Sequence, residues 1–409
     1  VDESYYNLIE DNTFAYGGHH TLGVYSKYNV IRNNYFHNET DPANWAFEGY
    51  RDSITEGPAG GYCLYEGNRF GFSGASRLAL RTPYNLLRFN LFYHTDSGGL
   101  QVVSSAAGQD HADYNRIYRN SFYHNGHQET DPGFQGGMYF ANWSGQSPEG
   151  NIVKSNIFYD NKNGAVTYEG QVDPQVVENN WDQNAVDPGF VNPSASDPNN
   201  PSLPDLHLRA NSPSIDAAAY PTRITSADGS GTQFQVEDAR YFMDGWGIPH
   251  VQGDEIQLAD GQGARVTNVN YEANIVTVDR ALTWTLNQGI SLAYEGAAPD
   301  LGAYEFLPQI ELYGMPADRA IHLAWTVNVT LPVTSTWRID YAGQTGTAYL
   351  PVTGITSSTR AYSLTGLTNY TWYTVTLGAM LDSTPFLSDT VRVMPTDRFV
   401  YLPLVAKMQ

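Results

Sequence analysis

The chain has 409 residues and a formal charge of −21, with 43 acidic against 22 basic side chains. That balance repels phosphate backbones and excludes nucleic acid as a natural partner. A single cysteine, Cys63, rules out an intrachain disulfide, and no run approaches the roughly 20 apolar residues of a membrane span. Abundant glycine and tyrosine, 38 and 29 residues, belong to a vocabulary of strands and turns, and no long amphipathic helix is visible. The sequence starts at Val1 without an initiator Met, six residues before a repeat that is already under way, so a processed form of an exported precursor is expected, placed outside the cell or on its surface.

The repeat dominates the first half. Asn12, Asn34, Asn68, Asn90, Asn120, Asn156 and Asn180 align, at spacings of 22, 34, 22, 30, 36 and 24 residues. Three residues before them stand Ile9, Ile31, Tyr65, Leu87, Ile117, Val153 and Val177; two residues after stand Phe14, Phe36, Phe70, Phe92, Phe122 and Phe158, with Asp182 breaking the series. A second short apolar run follows most motifs, as in Leu22 to Tyr25, Leu78 to Leu80, Leu100 to Val103, Met138 to Phe140 and Ala165 to Tyr168. A fixed minimum length with variable insertions predicts a parallel β-solenoid whose coils stack at about 4.8 Å and whose surplus residues leave as loops. Recurrent asparagines at a bend predict an internal amide ladder. Cys63 falls inside this repeat and reads as a buried, inert thiol.

Two residues before each aligned asparagine the series runs Glu10, Arg32, Glu66, Arg88, Tyr118, Lys154, Glu178, which predicts an outward, solvated face with opposite charges on neighbouring coils. His94 and His124 share a coil position with Asn38 and Asp160, predicting a stacked polar corner.

After Trp181 the repeat fades into Asp187-Pro188-Gly189-Phe190, then Asp205-Leu206-His207-Leu208, Ser212-Pro213-Ser214-Ile215-Asp216 and, much later, Asp300-Leu301-Gly302-Ala303-Tyr304-Glu305. This ordered set resembles the terminal coil of secreted bacterial right-handed parallel β-helix proteins of the choice-of-anchor Q type, a likeness that spans about residues 1–306. The resemblance implies fold, since that group mixes polysaccharide lyases, hydrolases and adhesins. The solenoid is accordingly placed at 1–220, with its final coil resuming at 297–307.

Between them, residues 221–296 alternate as short strands separated by Gly and Asp turns, which predicts a small inserted antiparallel barrel or sandwich lying beside the end of the solenoid and helping to cap it. Residues 308–396, with Trp325, Trp337, Tyr362 and the run Tyr370 to Val375, resemble strands B, C, E and F of a fibronectin type III sandwich, including its tyrosine corner. The apolar tail 397–409 resembles the C-terminal ends of exported proteins in some filamentous bacteria, and as a strand it suits edge pairing. The whole chain therefore reads as all-β.

Reactive residues are scattered. The nearest approach to a catalytic set is Asp110, His111 and Asp113 together with His94, Asp96, Arg77 and Arg81, which supplies the residue types of a polysaccharide lyase or glycoside hydrolase acting on acidic polysaccharide. Two Glu-Thr-Asp-Pro loops offer hard oxygen ligands for calcium at Glu39, Asp41, Glu129 and Asp131, although Asp-Pro also initiates ordinary turns. No other cofactor is implied. Scaffold positions outnumber reactive ones, so the sequence favours an extracellular structural or surface protein, self-associating head to tail into a filament or envelope layer through the solenoid end and the C-terminal region. An enzyme on acidic polysaccharide and an adhesin binding polysaccharide or cell-envelope glycan are the alternatives.

Overall fold

The computed structural model describes residues 4–17, 20–38, 52–57, 59–73, 78–104, 111–143, 145–194, 197, 199–200, 202–329, 331–344, 346, 348–381 and 384–398. They form two compact units that divide after Phe306. Both are built of strands, and among the described residues the first also holds two short 3₁₀ turns, Pro132–Phe134 and Ala239–Tyr241. No helix among the described residues is long and apolar enough to cross a membrane.

The aligned repeats wind into a parallel β-helix with three faces. The first sheet stacks Leu8–Glu10, Val30–Arg32, Leu64–Glu66, Leu86–Arg88, Arg116–Tyr118, Ile152–Lys154 and Val176–Glu178, in that order and in register. The second stacks Thr13–Ala15, Tyr35–Asn38, Arg69–Ser73, Leu91–Thr95, Ser121–Tyr123 and Ile157–Tyr159. The third stacks His20–Val24, Asp52–Glu56, Leu78–Leu80, Leu100–Ser104, Met138–Asn142 and Val166–Glu169.

The amide ladder is continuous. From Asn12 to Asn156, each aligned asparagine donates both its backbone N–H and its side-chain Nδ2 to the Oδ1 of the asparagine one coil on, at 2.8–3.1 Å. The same Nδ2 of Asn34, Asn68, Asn90, Asn120 and Asn156 reaches a strand carbonyl of the preceding coil, so the amides of the column are paired on both sides of the bend. Inside the coil the phenylalanines from Phe14 to Phe158 stack face to face with centroids 4.7–5.0 Å apart, close to the strand spacing.

A second ladder runs five residues earlier. Asn7 bonds to Asn29, Asn85 to Asn115, Asn115 to Asn151 and Asn151 to Gln175. Cys63 occupies this column between Asn29 and Asn85: its backbone N–H donates to Asn85 Oδ1 at 2.9 Å, and its buried thiol, pushed up to about 12 chiefly by burial, is an inert occupant. The residue immediately before each ladder position bends the chain through left-handed backbone, at Tyr28, Tyr62, Tyr84 and Tyr114 on one corner and at Asn33, Phe89, Arg119 and Ser155 on the next. Such backbone costs a non-glycine residue about 1–2 kcal/mol. It is held because each corner N–H is captured by a carbonyl of the following coil, as in Tyr62 to Pro83, Tyr84 to Asp113 and Phe89 to Arg119.

The core also holds one carboxylate. Glu56 replaces an apolar residue inside the third sheet, accepts bonds from the Arg81 and Thr82 amides and from the Thr82 and Tyr65 hydroxyls, and is pushed up to about 7 by burial.

The segment 222–292 forms a six-stranded antiparallel sheet in the order Thr222–Arg223, Gly289–Leu292, Glu255–Leu258, Gly263–Asn270, Ile275–Trp284, Gly229–Gln235. A bridge from Ile224 to Val236 joins its first and last strands, closing it into a barrel around Phe234, Val266, Val276 and Ile290. Its position corrects the expectation from sequence. The barrel does not sit at the solenoid's end but lies along the first sheet, because that sheet turns Val30, Leu64 and Leu86 outward and they pack on Met243, Ile248 and Val251. The supposedly solvated charge series is corrected with it. Arg32 pairs with Glu10, and Lys154 with Glu178, as expected, but Arg88 is only 1% exposed: it pairs with Glu66 and is clamped in two-pronged fashion by Asp254 of the barrel at 2.6 and 2.8 Å. Arg116 likewise meets Asp238, and the Tyr118 hydroxyl meets Ser291.

Residues 297–307 add no rung either. They cross the outer face of the second sheet: Gly302 N–H donates to the Ser155 carbonyl, Ala303 N–H to Ser121 Oγ, Glu305 pairs with buried Arg119, and Leu301 and Ala303 pack against Tyr35, Leu91, Tyr93 and Ile157. The outer face of that sheet is apolar and needs a cover, which this segment and Phe190, Leu206 and Leu208 supply.

The second unit is a seven-stranded sandwich. Ile310–Ala317, Ala320–Val327 and Ala361–Thr365 form one sheet; Val352–Thr356, Thr336–Gly343, Tyr373–Leu381 and Thr384–Val393 form the other. This is the ABE and C′CFG connectivity of a fibronectin type III sandwich. Trp325 and Trp337 meet edge to face in its core at 5.5 Å, and Thr368 N–H donates to the Tyr373 hydroxyl at 3.0 Å, which is the tyrosine corner. The tail from 399 lies outside the described residues.

Candidate binding cleft

Six residues before the aligned asparagines stand Tyr6, Tyr28, Tyr62, Tyr84 and Tyr114. All five adopt left-handed backbone at the corner where the third sheet passes into the first, and this throws their rings outward into one column. Neighbouring rings stack with centroids 4.9–5.4 Å apart. Because the rings lie over one another, the column shows its edges and hydroxyls rather than its faces, and the Tyr114 hydroxyl donates to Glu149. Burial, with the neighbouring phenols adding to it, raises Tyr28 and Tyr62 above the ordinary phenol range, so they remain proton donors.

The barrel supplies the opposite wall. Gly245, Trp246 and Gly247 are all left-handed, and this turn projects the indole towards Tyr28, where the rings meet edge to face at 5.8 Å. The indole is fixed: its Nε1 donates to the Tyr271 hydroxyl at 3.0 Å, that hydroxyl donates to the Phe242 carbonyl, and Asp244 Oδ1 accepts the Trp246 N–H. Between the walls lies a cleft of about 790 Å³ lined by Tyr28, Tyr62, Tyr84, Trp246, Tyr271, Arg240, Glu272 and the amides Asn268, Asn270 and Asn274. It continues past Trp246 into a groove of about 550 Å³ that reaches Tyr6 and Asp244. The cations here cover rings: the Arg240 guanidinium lies 5.7 and 5.9 Å from Tyr84 and Tyr114, and Lys27 lies 5.5 Å from Tyr62. An aromatic cleft with fixed donors and amides suits a neutral polyhydroxylated ligand.

Of the catalytic set suggested by sequence, the described members divide between two corners. His94 and Asp96 stand at the corner between the second and third sheets, whereas Arg81, His111 and Asp113 precede the corner between the third and first. The strand Leu100–Ser104 runs between the two groups, so side chains close in sequence point from different edges of the coil. Asp113 holds a loop, accepting the Glu149 N–H at 2.8 Å, and burial raises its carboxyl. Asp110 and Arg77 lie outside the described residues. So do Glu39 and Asp41 of the first calcium loop. In the second, Glu129 Oε1 accepts the Thr130 and Asp131 amides and Asp131 Oδ1 accepts Gly133 N–H, the bonds of a turn initiator capping the 3₁₀ turn. The tyrosine column was within reach of the sequence, since its members keep a constant offset from the aligned asparagines. Trp246 and Tyr271 carried no such signal, because only the docking of the barrel brings them there.

Residues 1–181 match the model of the family described as right handed beta helix region. No curated protein matches the chain. Among solved structures the chain is similar to the FN5 domain of Drosophila Lar, at 20% identity over 22% of this chain and 92% of that one, with a TM-score of 0.18. By family likeness and by stacked sheets alike, residues 1–181 form a right-handed β-helix region.

Proposed function

We propose that the protein is an extracellular surface protein that binds a neutral polysaccharide along the cleft between the tyrosine column and the barrel. The carrying observation is the row of stacked phenols facing the fixed Trp246 and Tyr271. A charge of −21 disfavours polyanionic chains, and this turns the choice towards neutral glycans over uronates. The test is calorimetric titration of the full chain with soluble β-glucan, xylan and mannan, and with polygalacturonate as the anionic control. Trp246→Ala is expected to weaken binding by about 2 kcal/mol, roughly 30-fold, and Tyr62→Phe by about 1 kcal/mol for one hydroxyl. Equal affinity in both variants, or preference for polygalacturonate, contradicts the reading.

A second reading, end-to-end association of copies, has its own observation. Inward positions that are sealed in the middle of the stack are open in its last turns: Tyr168, over Phe140, is 46% exposed and Val177, over Val153, is 40% exposed. Among the described residues no strand covers them. The first coil of another copy, with Ile9, Phe14 and Leu22 at equivalent inward positions, is the occupant that continues both the core and the ladder. Sedimentation velocity is expected to show association that Tyr168→Lys abolishes. A wild type that stays monomeric over the accessible concentration range contradicts it.

A further inference from the structure

The corner between the second and third sheets carries a different chemistry from the tyrosine corner. His124 and Asp160 occupy it on adjacent coils, both in left-handed backbone that directs their side chains outward. They are anchored from beneath, since the next residues, Asn125 and Asn161, belong to a third amide column that runs on to Asn184. Gly126 then turns the chain so that His127 folds back over His124, ring on ring at 3.9 Å with 11° between the planes. His124 Nδ1 lies 2.7 Å from Asp160 Oδ2, and His127 Nε2 lies 2.8 Å from the Asp160 carbonyl oxygen.

These bonds fix the tautomers. A carbonyl and a carboxylate only accept, so His127 donates through Nε2 and His124 through Nδ1; an ion held by both the Asp160 carboxylate and the His124 imidazole takes the place of the bond between them. One donor atom from each of the three residues falls within 4.8 Å of the others. Donors on a tetrahedral zinc stand roughly 3.3 Å apart, given the Zn–N length, so modest rotation of side chains that are 34% and 45% exposed closes the set. Two imidazoles and a carboxylate, with open positions for water, are the donors of zinc-class ions and not of calcium.

We propose that His124, His127 and Asp160 bind a divalent transition ion of the zinc class, which ties the fifth coil to the sixth at this corner. The site shares no residue with the cleft. Binding is coupled to folding stability, because the ion holds two coils that separate on unfolding.

The experiment is calorimetric titration of the chelator-treated full chain with zinc chloride, paired with thermal unfolding in zinc and in EDTA. The wild type is expected to take up one zinc per chain and to unfold at a higher temperature in zinc. His127→Gln, in the loop outside the ladder, and Asp160→Asn, which keeps a residue tolerant of left-handed backbone, are expected to lose at least about tenfold in affinity and the zinc-dependent rise, while unfolding like the wild type in EDTA. Absence of zinc uptake by the wild type, or uptake unchanged in the variants, overturns the proposal. Should Asp160→Asn fail to fold, His127→Gln decides alone.

Discussion

Asn90→Leu is expected to destabilise the solenoid by about 4 kcal/mol. Asn90 Oδ1 accepts the Asn68 backbone N–H and Nδ2 at 3.0 Å each, and its own Nδ2 donates to the Tyr65 carbonyl at 2.8 Å and to Asn120 Oδ1 at 2.9 Å. Leucine has similar bulk but leaves the Asn68 backbone N–H buried without an acceptor, at roughly 1–3 kcal/mol, removes one of the bonds to the Tyr65 carbonyl, and breaks the column between Asn68 and Asn120. Asn12→Leu, on the first, exposed coil, is expected to cost about 1 kcal/mol, since water replaces what is lost. Urea unfolding followed by circular dichroism compares the two; equal losses mean that the amides do not act as a column.

Arg88→Met is the second large effect, at about 3–5 kcal/mol, the range for removing one partner of a buried ion pair. Arg88 is enclosed where the barrel docks, and without it Asp254 and Glu66 lose the cation they share. Asp254 also accepts the Met243 N–H at 2.8 Å, so the compensating change must keep an acceptor. The double variant Arg88→Met with Asp254→Asn is therefore expected to recover most of the loss. If the double variant is as unstable as the sum of its parts, the pair is not what holds the barrel to the first sheet.

These two residues also mark how far the fold could be read from sequence. The ladder was legible because its spacing is strict: the strand-turn unit permits no fewer than 22 residues per coil, and the asparagine, the residue three before and, as far as Phe158, the phenylalanine two after keep fixed offsets through every insertion. The strand Asp52–Glu56 escaped notice because its polar residues show no apolar run, with Glu56 satisfied from inside the core. The second amide column and the tyrosine column obey equally strict offsets, five and six residues ahead, and were legible in principle. Arg88 was not. Its local sequence matches that of Arg32, and only the barrel, arriving from residues 222–292, makes one a buried clamp and leaves the other in a surface pair.

The same reason limits the reading of function. One wall of the cleft is a local, periodic property of the solenoid; the other is a turn more than a hundred residues away whose left-handed glycines announce a bend but not its target. The catalytic set suggested by sequence rests on nearness along the chain, and its described members stand at two different corners. In a three-faced coil, residues separated by a whole strand sit at different edges, while residues a full coil apart become neighbours.

Diffraction from crystals soaked with a neutral oligosaccharide that binds in solution tests the account most directly. Electron density for sugar rings is expected beside Tyr28, Tyr62 and Tyr84, with one ring against Trp246. Sugar bound on another face of the solenoid or on the sandwich, with the cleft holding only solvent, contradicts it.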